Sequence, residues 1–188
     1  MNKSEIRDEI KSKRKSLEPA ESGRISRAVC RKISSLGVWK KAKTAAVYIP
    51  LPGEVDIWPL INEGLSTGKI ILAPFILPET GKALFSRFHD KKELKPGPFG
   101  LLQPEGGEIH SRDVIDVIIV PGLAFSPDGS RIGFGKGYYD RILDGFRGES
   151  IAPAFEFQMY DDLPVSSHDI PVDYVVNERI VYICRKFK

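Results

Sequence analysis

The stretch TAAVYIPLPGEVDIWPLINEGLSTGKIILA, residues 44–73, decides the fold class. It opens with a short β-prone run, Thr44 to Ile49, that ends at Pro50-Leu51-Pro52-Gly53. Asp56 then offers a cap to a helix that turns Ile57, Leu60, Ile61 and Leu65 inward and is followed by Gly68. Lys69 to Ala73 forms a second β-prone run, stopped by Pro74. A strand, a helix and a strand in immediate succession form a β-α-β unit. Its two strands must run parallel, because a helical crossover returns the chain to the same end of the sheet.

Working outward, Asn2 and Glu5 resemble a capping box for a helix over residues 3–15, with Ile6, Ile10 and Leu17 on a thin apolar face. Pro19 opens a second helix, with Ile25, Val29, Ile33 and Leu36 at helical spacing and Gly37 as its stop. Downstream, Ala83 to Phe88 reads as a strand, and residues 95–107 (KPGPFGLLQPEGG) form a Pro/Gly loop long enough to suspect function. Val114 to Val120 is the clearest strand, nearly all apolar and therefore central. A helix over about Gly137 to Phe146 and strands at Ile151 to Phe155, Asp173 to Val176 and Ile180 to Cys184 complete an α/β sandwich with a mostly parallel sheet. Such sheets bind ligands at the carboxyl ends of their strands, so the candidate loops are 50–56, 121–136 and 156–172.

The 188 residues fit one domain, taken as 1–188, and 41% apolar residues suffice for a core. No apolar run spans a bilayer, so no membrane partner is expected. Met1 to Lys15 is polar throughout, without a secretory segment, and Glu5, Asp8 and Glu9 argue against a mitochondrial presequence. Cys30 and Cys184 have no CxxC or CxxH partner, which excludes a Cys-rich zinc site and fits a reducing compartment; a cytoplasmic protein is the expectation. His89, His110 and His168 lack metal-ligand spacing. The charge is uneven: residues 1–43 carry 13 Lys and Arg against 5 Asp and Glu. That basic end reads either as a solvated helix face or as a contact for a polyanion, a small phosphorylated ligand or an RNA. RNA-recognition motifs of the aromatic-basic or GxxG clamp type are missing, so no nucleic-acid partner is expected.

After the central strand comes PGLAFSPDGSRIGFGKGYYDR, residues 121–141. Gly129, Gly133, Gly135 and Gly137 let backbone N–H groups converge and let a phosphate approach closely, and a helix begins just after them. Lys136 supplies a point charge and Arg131 a fork. The spacing matches neither a Walker A loop nor a dinucleotide fingerprint. Asp140 in the first helical turn either holds a divalent cation against phosphates or stabilises the helix dipole. Tyr139 reads equally as a ligand contact or as packing.

Arg131-Ile-Gly-Phe-Gly-Lys-Gly-Tyr-Tyr-Asp140 resembles the signature of the 5-formyltetrahydrofolate cyclo-ligase family, also called methenyltetrahydrofolate synthetases. Four more segments resemble that family in order: Lys3-Ser-Glu-Ile-Arg7, Tyr48-Ile-Pro-Leu-Pro-Gly-Glu54-Val-Asp56, Pro121-Gly122-Leu-Ala-Phe125 with Gly129, and Gln158 with Leu163-Pro164 and His168-Asp169-Ile-Pro-Val-Asp173. The resemblance implies a three-layer α/β/α sandwich with a mostly parallel central sheet. It also implies conversion of 5-formyltetrahydrofolate to 5,10-methenyltetrahydrofolate with ATP and Mg²⁺, through a phosphorylated formyl intermediate; a monomer is the expectation for assembly.

By position, the resemblance assigns Lys3, Arg7, Arg131, Gly133, Phe134, Gly135, Lys136, Gly137, Tyr138 and Tyr139 to the nucleotide. It assigns Ile49, Glu54, Phe99 and the run from Phe134 to Tyr138 to the folate. Lys136, Arg131 and Tyr139 carry the catalytic assignment, and Asp140 and Asp169 the Mg²⁺. Phe134 stands where many members carry Arg, and Phe99 lies in the Pro/Gly loop where members carry Trp. A relative that kept the fold and lost the activity is the rival expectation.

Overall fold

The computed structural model describes residues 1–76, 83–97, 102–104 and 107–184. Helix α1 (Lys3–Ser16) starts on the expected capping box. The Asn2 side chain accepts from the Ser4 and Glu5 N–H groups, and the Glu5 carboxylate accepts from the Asn2 N–H. Helix α2 (Pro19–Ser35) carries its proline in the first turn, where no N–H is needed. Gly37 does not stop it. Extended Leu36 does, and Gly37 opens a short helix α3 (Gly37–Lys41).

The β-α-β unit forms as read. Strands β1 (Thr44–Ala46) and β2 (Ile70–Ile76) pair in parallel, Ala45 opposite Ile71, across helix α4 (Trp58–Ser66). Asp56 accepts from the Trp58 N–H at 3.0 Å, capping from two residues ahead. Pro74 does not end β2, which runs on opposite β3 (Ala83–Arg87) with Pro74 facing Phe85. The Phe88 N–H bonds the Ile71 carbonyl, so bonds to β3 fall on alternate residues that skip Pro74. Its missing N–H costs a bond only on the β1 side, where the ladder is already ending.

The Pro/Gly loop contains a small antiparallel ribbon, β4 (Leu94–Pro96) with β5 (Leu102–Pro104). Then follow β6 (Ile109–His110), the central β7 (Val117–Ile119) and a hairpin of β8 (Ala124–Phe125) with β9 (Arg131–Ile132) inside the stretch read as loop. Helix α5 (Tyr138–Leu143) is shorter than expected; β10 (Glu149–Pro153), β11 (Tyr174–Val176) and β12 (Val181–Ile183) finish the chain. Among the described residues one sheet has eight strands in the order β12-β11-β10-β7-β1-β2-β3-β6. The inner five, β11 to β2, are parallel, and the strands outside them pair antiparallel.

Strand alternation divides the core between the two sheet faces. Val117, Ile119, Ala45 and Ile71 meet Ile33, Trp39, Leu60 and Ile61 of α2 to α4. Ile118, Ala46, Leu72 and Val175 meet Ile142 and Leu143 of α5, with Phe146 just beyond it. Helices therefore cover both faces, as the three-layer expectation requires. Helix α1 joins neither face; its Ile6 and Ile10 pack on Leu123, Ala124, Ile132 and Leu163, beyond the carboxyl end of β7.

Gly129 serves packing, not the phosphate loop it was read with. Its φ is +90°, its carbonyl accepts from Val172 N–H at 2.9 Å, and a Cβ there would lie 2.3 Å from the Val172 carbonyl oxygen. Gly129→Ala is expected to cost about 2–3 kcal/mol, read as a lower urea midpoint at unchanged slope. An unshifted midpoint would show that the β8–β9 turn rebuilds freely.

Candidate active site

A cleft of about 1160 Å³ opens at the carboxyl ends of β1 and β7. A single small ligand usually occupies ~300–1,000 Å³, so this space admits a large ligand or two adjacent ones. Every described residue that the resemblance assigns to nucleotide, folate, catalysis or Mg²⁺ lines it, whereas Gly129 does not. Phe99 lies outside the described residues.

From α1 come Lys3 and Arg7, one helical turn apart and on one face. Lys3 Nζ reaches Asp169 Oδ2 at 2.5 Å and Ser166 Oγ at 3.0 Å, and the Ser166 N–H donates to the same carboxylate. Loss of water tends to raise the Asp169 carboxyl, but the Lys3 and Ser166 hydrogen bonds outweigh it and hold it below its ordinary range. Arg7 Nε donates to the Gly133 carbonyl at 2.9 Å. Gly135, at φ +92°, runs close to the same guanidinium: a Cβ there would sit 3.5 Å from it.

Arg131 leaves β9 buried, with 6% of its surface exposed. Its Nη2 pairs with Asp140 Oδ1 at 2.8 Å, its guanidinium lies 6.0 Å over the Tyr139 ring, and its Nε is buried with no partner. The Ile170 N–H also donates to Asp140 Oδ1, at 3.3 Å, so that carboxylate joins the glycine loop to the 166–170 segment. Gly137, at φ +59°, is the N-cap of α5 and offers no side-chain acceptor to the first turn. Tyr138 and Tyr139 pack edge to face at 5.5 Å. Loss of water around the hydroxyls pushes Tyr138 to about 12 and Tyr139 well above the usual phenol value, so both remain donors at neutral pH. The Tyr138 hydroxyl is buried and without a partner. Phe134 and Lys136 stand exposed on the lip.

The opposite wall is the segment after β1. Ile49 is buried, and Glu54, 8% exposed, accepts from the Leu51 N–H at 3.0 Å. Burial raises the Glu54 carboxyl above its ordinary range; the Leu51 N–H and the charge of Arg14 act against that rise. Tyr48 donates to the Val55 carbonyl at 2.7 Å and fixes the bend of this segment. Gln158, fully buried, donates to the Gly122 and Leu123 carbonyls and anchors the chain leading into the β8–β9 hairpin.

Asp140 and Asp169 share the cleft, and each is neutralised by a cation of that cleft. Among the described residues no three His, Cys, Asp or Glu side chains gather as a metal cage. Two carboxylates without a cage fit Mg²⁺, which takes one or two protein carboxylates and completes its shell with phosphates and water. Sequence reasoning missed Leu102 and Gln103, which reach the cleft from the β4–β5 ribbon; the suspicion attached to that loop was the available signal. Charge alone left the use of the basic end open, while the resemblance assigned Lys3 and Arg7 to the nucleotide. Lys3 and Arg7 enter the cleft, whereas Lys11, Lys13 and Arg24 pair with Asp8, Glu9 and Glu21 on the surface.

The sequence model of the 5-formyltetrahydrofolate cyclo-ligase family matches residues 1–178. The 5-formyltetrahydrofolate cyclo-ligase of Escherichia coli is 30% identical over 182 residues, 92% of this chain and 98% of that protein. The mouse protein of the same name is 28% identical across 92% of each. The solution structure of Aquifex aeolicus 5,10-methenyltetrahydrofolate synthetase superposes with a TM-score of 0.88 at 39% identity, covering 100% of this chain and 95% of that one. The motifs that line the cleft fall inside the matched residues, and the chain belongs to the 5-formyltetrahydrofolate cyclo-ligase family.

Proposed function

We propose that this protein converts 5-formyltetrahydrofolate to 5,10-methenyltetrahydrofolate, consuming ATP and releasing ADP and phosphate. One observation carries the reading: a single cleft gathers the cations Lys3, Arg7, Arg131 and Lys136 and the glycine loop along one side, and a buried carboxylate, Glu54, on the other. Family membership and the activity for which its relatives are named support it.

The chemistry explains why such a cleft suffices. A formyl oxygen on nitrogen is amide-like, a poor nucleophile, and it leaves carbon slowly as oxide. Phosphorylation by the γ-phosphate of ATP turns it into a leaving group. The second folate nitrogen then closes on the formyl carbon, and phosphate departs with the oxygen. Phosphoryl transfer of this kind depends on positioning and on charge neutralisation. It demands no nucleophilic Cys or catalytic His, and among the described residues of the lining His168 is the one member of those two types.

Each residue then has a role in this reading. Lys136 and Arg131 meet the transferring phosphoryl group, with Tyr139 holding the Arg131 guanidinium over its ring. Lys3, Arg7 and the Gly133 to Gly137 backbone take the remaining phosphates. Glu54 accepts the amino and ring N–H groups of the pterin, Ile49 meets its apolar surface, and Phe134 with Tyr138 lies between the two substrates. Asp140 and Asp169 would hold Mg²⁺, whose chemistry when bound is neutralisation of phosphate charge. Lys3 and Arg131, now paired with those acids, would then be free for phosphate oxygens.

Purified protein with ATP, Mg²⁺ and 5-formyltetrahydrofolate is expected to develop methenyl absorbance. No product at any pH or with any divalent metal would favour a relative that kept the fold and lost the activity. Lys136→Ala should lower kcat by about 10²–10³ with an unchanged melting profile, because the side chain is exposed. Wild-type turnover in that variant would remove Lys136 from the mechanism. Asp140→Asn should raise the Mg²⁺ requirement and also cost about 1–3 kcal/mol in denaturant titration, because buried Arg131 loses its counter-charge. Lower stability with an unaltered Mg²⁺ titration would leave Asp140 a partner of Arg131 alone.

A further inference from the structure

Arg14 lies in the last turn of α1, flanked by exposed Lys13 and Lys15, yet its side chain turns inward. Nη2 donates to the Gly122 carbonyl at 2.6 Å, an oxygen that Gln158 also bonds. Its aliphatic stem supports Gly53, whose φ is +83° and whose missing Cβ would lie 3.3 Å from Arg14 Cβ. Nε is buried with no partner. Burying a guanidinium is costly unless a charge partner compensates, and docking α1 needs none, since Ile6 and Ile10 already supply the apolar contact.

Among the described residues no carboxylate lies within ion-pair distance of Arg14; the acid whose charge reaches it is Glu54, next in sequence to the Gly53 that its stem supports. Burial lowers Arg14 and raises Glu54, and the field of each opposes the shift of the other. The other ionisable groups set against this carboxylate are Tyr48, from the segment after β1, and Tyr139, from α5; both are phenols kept neutral by loss of water.

We propose that Arg14 is a positioning residue for the folate half of the reaction, holding Glu54 and the 50–54 segment from behind the cleft without touching either substrate. The inference rests on the reading of Glu54 as the pterin acceptor.

Equilibrium binding of 5-formyltetrahydrofolate without nucleotide, and steady-state kinetics for both substrates, are measured from pH 5 to 9 for wild type, Arg14→Met and Arg14→Lys. Arg14→Met keeps the stem and removes the charge. It is expected to weaken folate binding and raise the folate KM about tenfold, with the ATP KM nearly unchanged. Only the ionised Glu54 offers both oxygens and a charge to the pterin N–H groups, so folate binding weakens on the acid side; losing Arg14 should move that acid limb to higher pH. Arg14→Lys should bring the limb back toward wild type. In a Glu54→Gln background, Arg14→Met should add nothing. Equal rises in both KM values, an unmoved acid limb in both variants, or additive effects with Glu54→Gln would each overturn the proposal. Folate binding without turnover by wild type would sink the proposed reaction and leave the Arg14 comparison decisive through binding. Turnover by wild type with unaltered binding in both variants would sink the Arg14 proposal alone.

Discussion

Three side chains on one stripe of α1, at positions 3, 7 and 14, each bond a different loop of the cleft. Lys3 holds Asp169 in the segment before β11, Arg7 holds the Gly133 carbonyl in the glycine loop, and Arg14 holds the Gly122 carbonyl where the chain leaves β7. The spacing of four and seven keeps them near one line on the helix. Ile6 and Ile10, along the same stripe, bury against the hairpin beneath. A parallel sheet delivers its loops to one end but does not fix them relative to one another. Helix α1 does so here, and the shape of the cleft depends on that stapling more than on the sheet.

Charge balance is the second consequence. The cleft collects several cations, and without ligand they would repel. Lys3 with Asp169 and Arg131 with Asp140 neutralise two of them internally. The pairs differ in kind. Lys3 and Asp169 are each about a quarter exposed, so their net contribution to stability is small. Arg131 is nearly sealed from water, and leaving it unpaired would be costly. The first pair can therefore exchange partners cheaply, whereas the second must be replaced by something equally anionic. A phosphate chain accompanied by a divalent cation satisfies that condition, in keeping with the proposed reaction.

The core of the fold was legible because its signals are local. The β-α-β unit is written in alternating apolar spacing with Pro and Gly at the joints, and β7 in an unbroken apolar run. The misreadings arose where pairing on one side of a strand decides the outcome. Pro74 reads as a strand stop, yet it removes an N–H only on the side where the ladder was ending. Gly37 reads as a helix stop, yet Leu36 makes the break. The two-residue strands β8 and β9 are too short for any period to show, so a hairpin was read as loop. The cleft residues were legible through motif resemblance. Arg14 was not, because a basic residue in a basic last turn looks solvated until tertiary structure turns it inward.

The contacts that close the cleft are among the long-range ones in sequence. Lys3 and Asp169 are 166 residues apart, and Arg7 and Gly133 126. Ordering them carries a large loop-closure cost that is met only once the sheet exists as a platform. Stability and function are therefore distributed unequally. The sheet and its buried strands supply the cooperative core, while Lys136 and Phe134 on the exposed lip contribute little to it. Arg131 belongs to both sets: its buried guanidinium is a structural counter-charge to Asp140 and, in the proposed reaction, a ligand for phosphate. A substitution at Arg131 would confound folding with chemistry, and one at Lys136 would not, so the exposed lysine is the cleaner probe of the reaction.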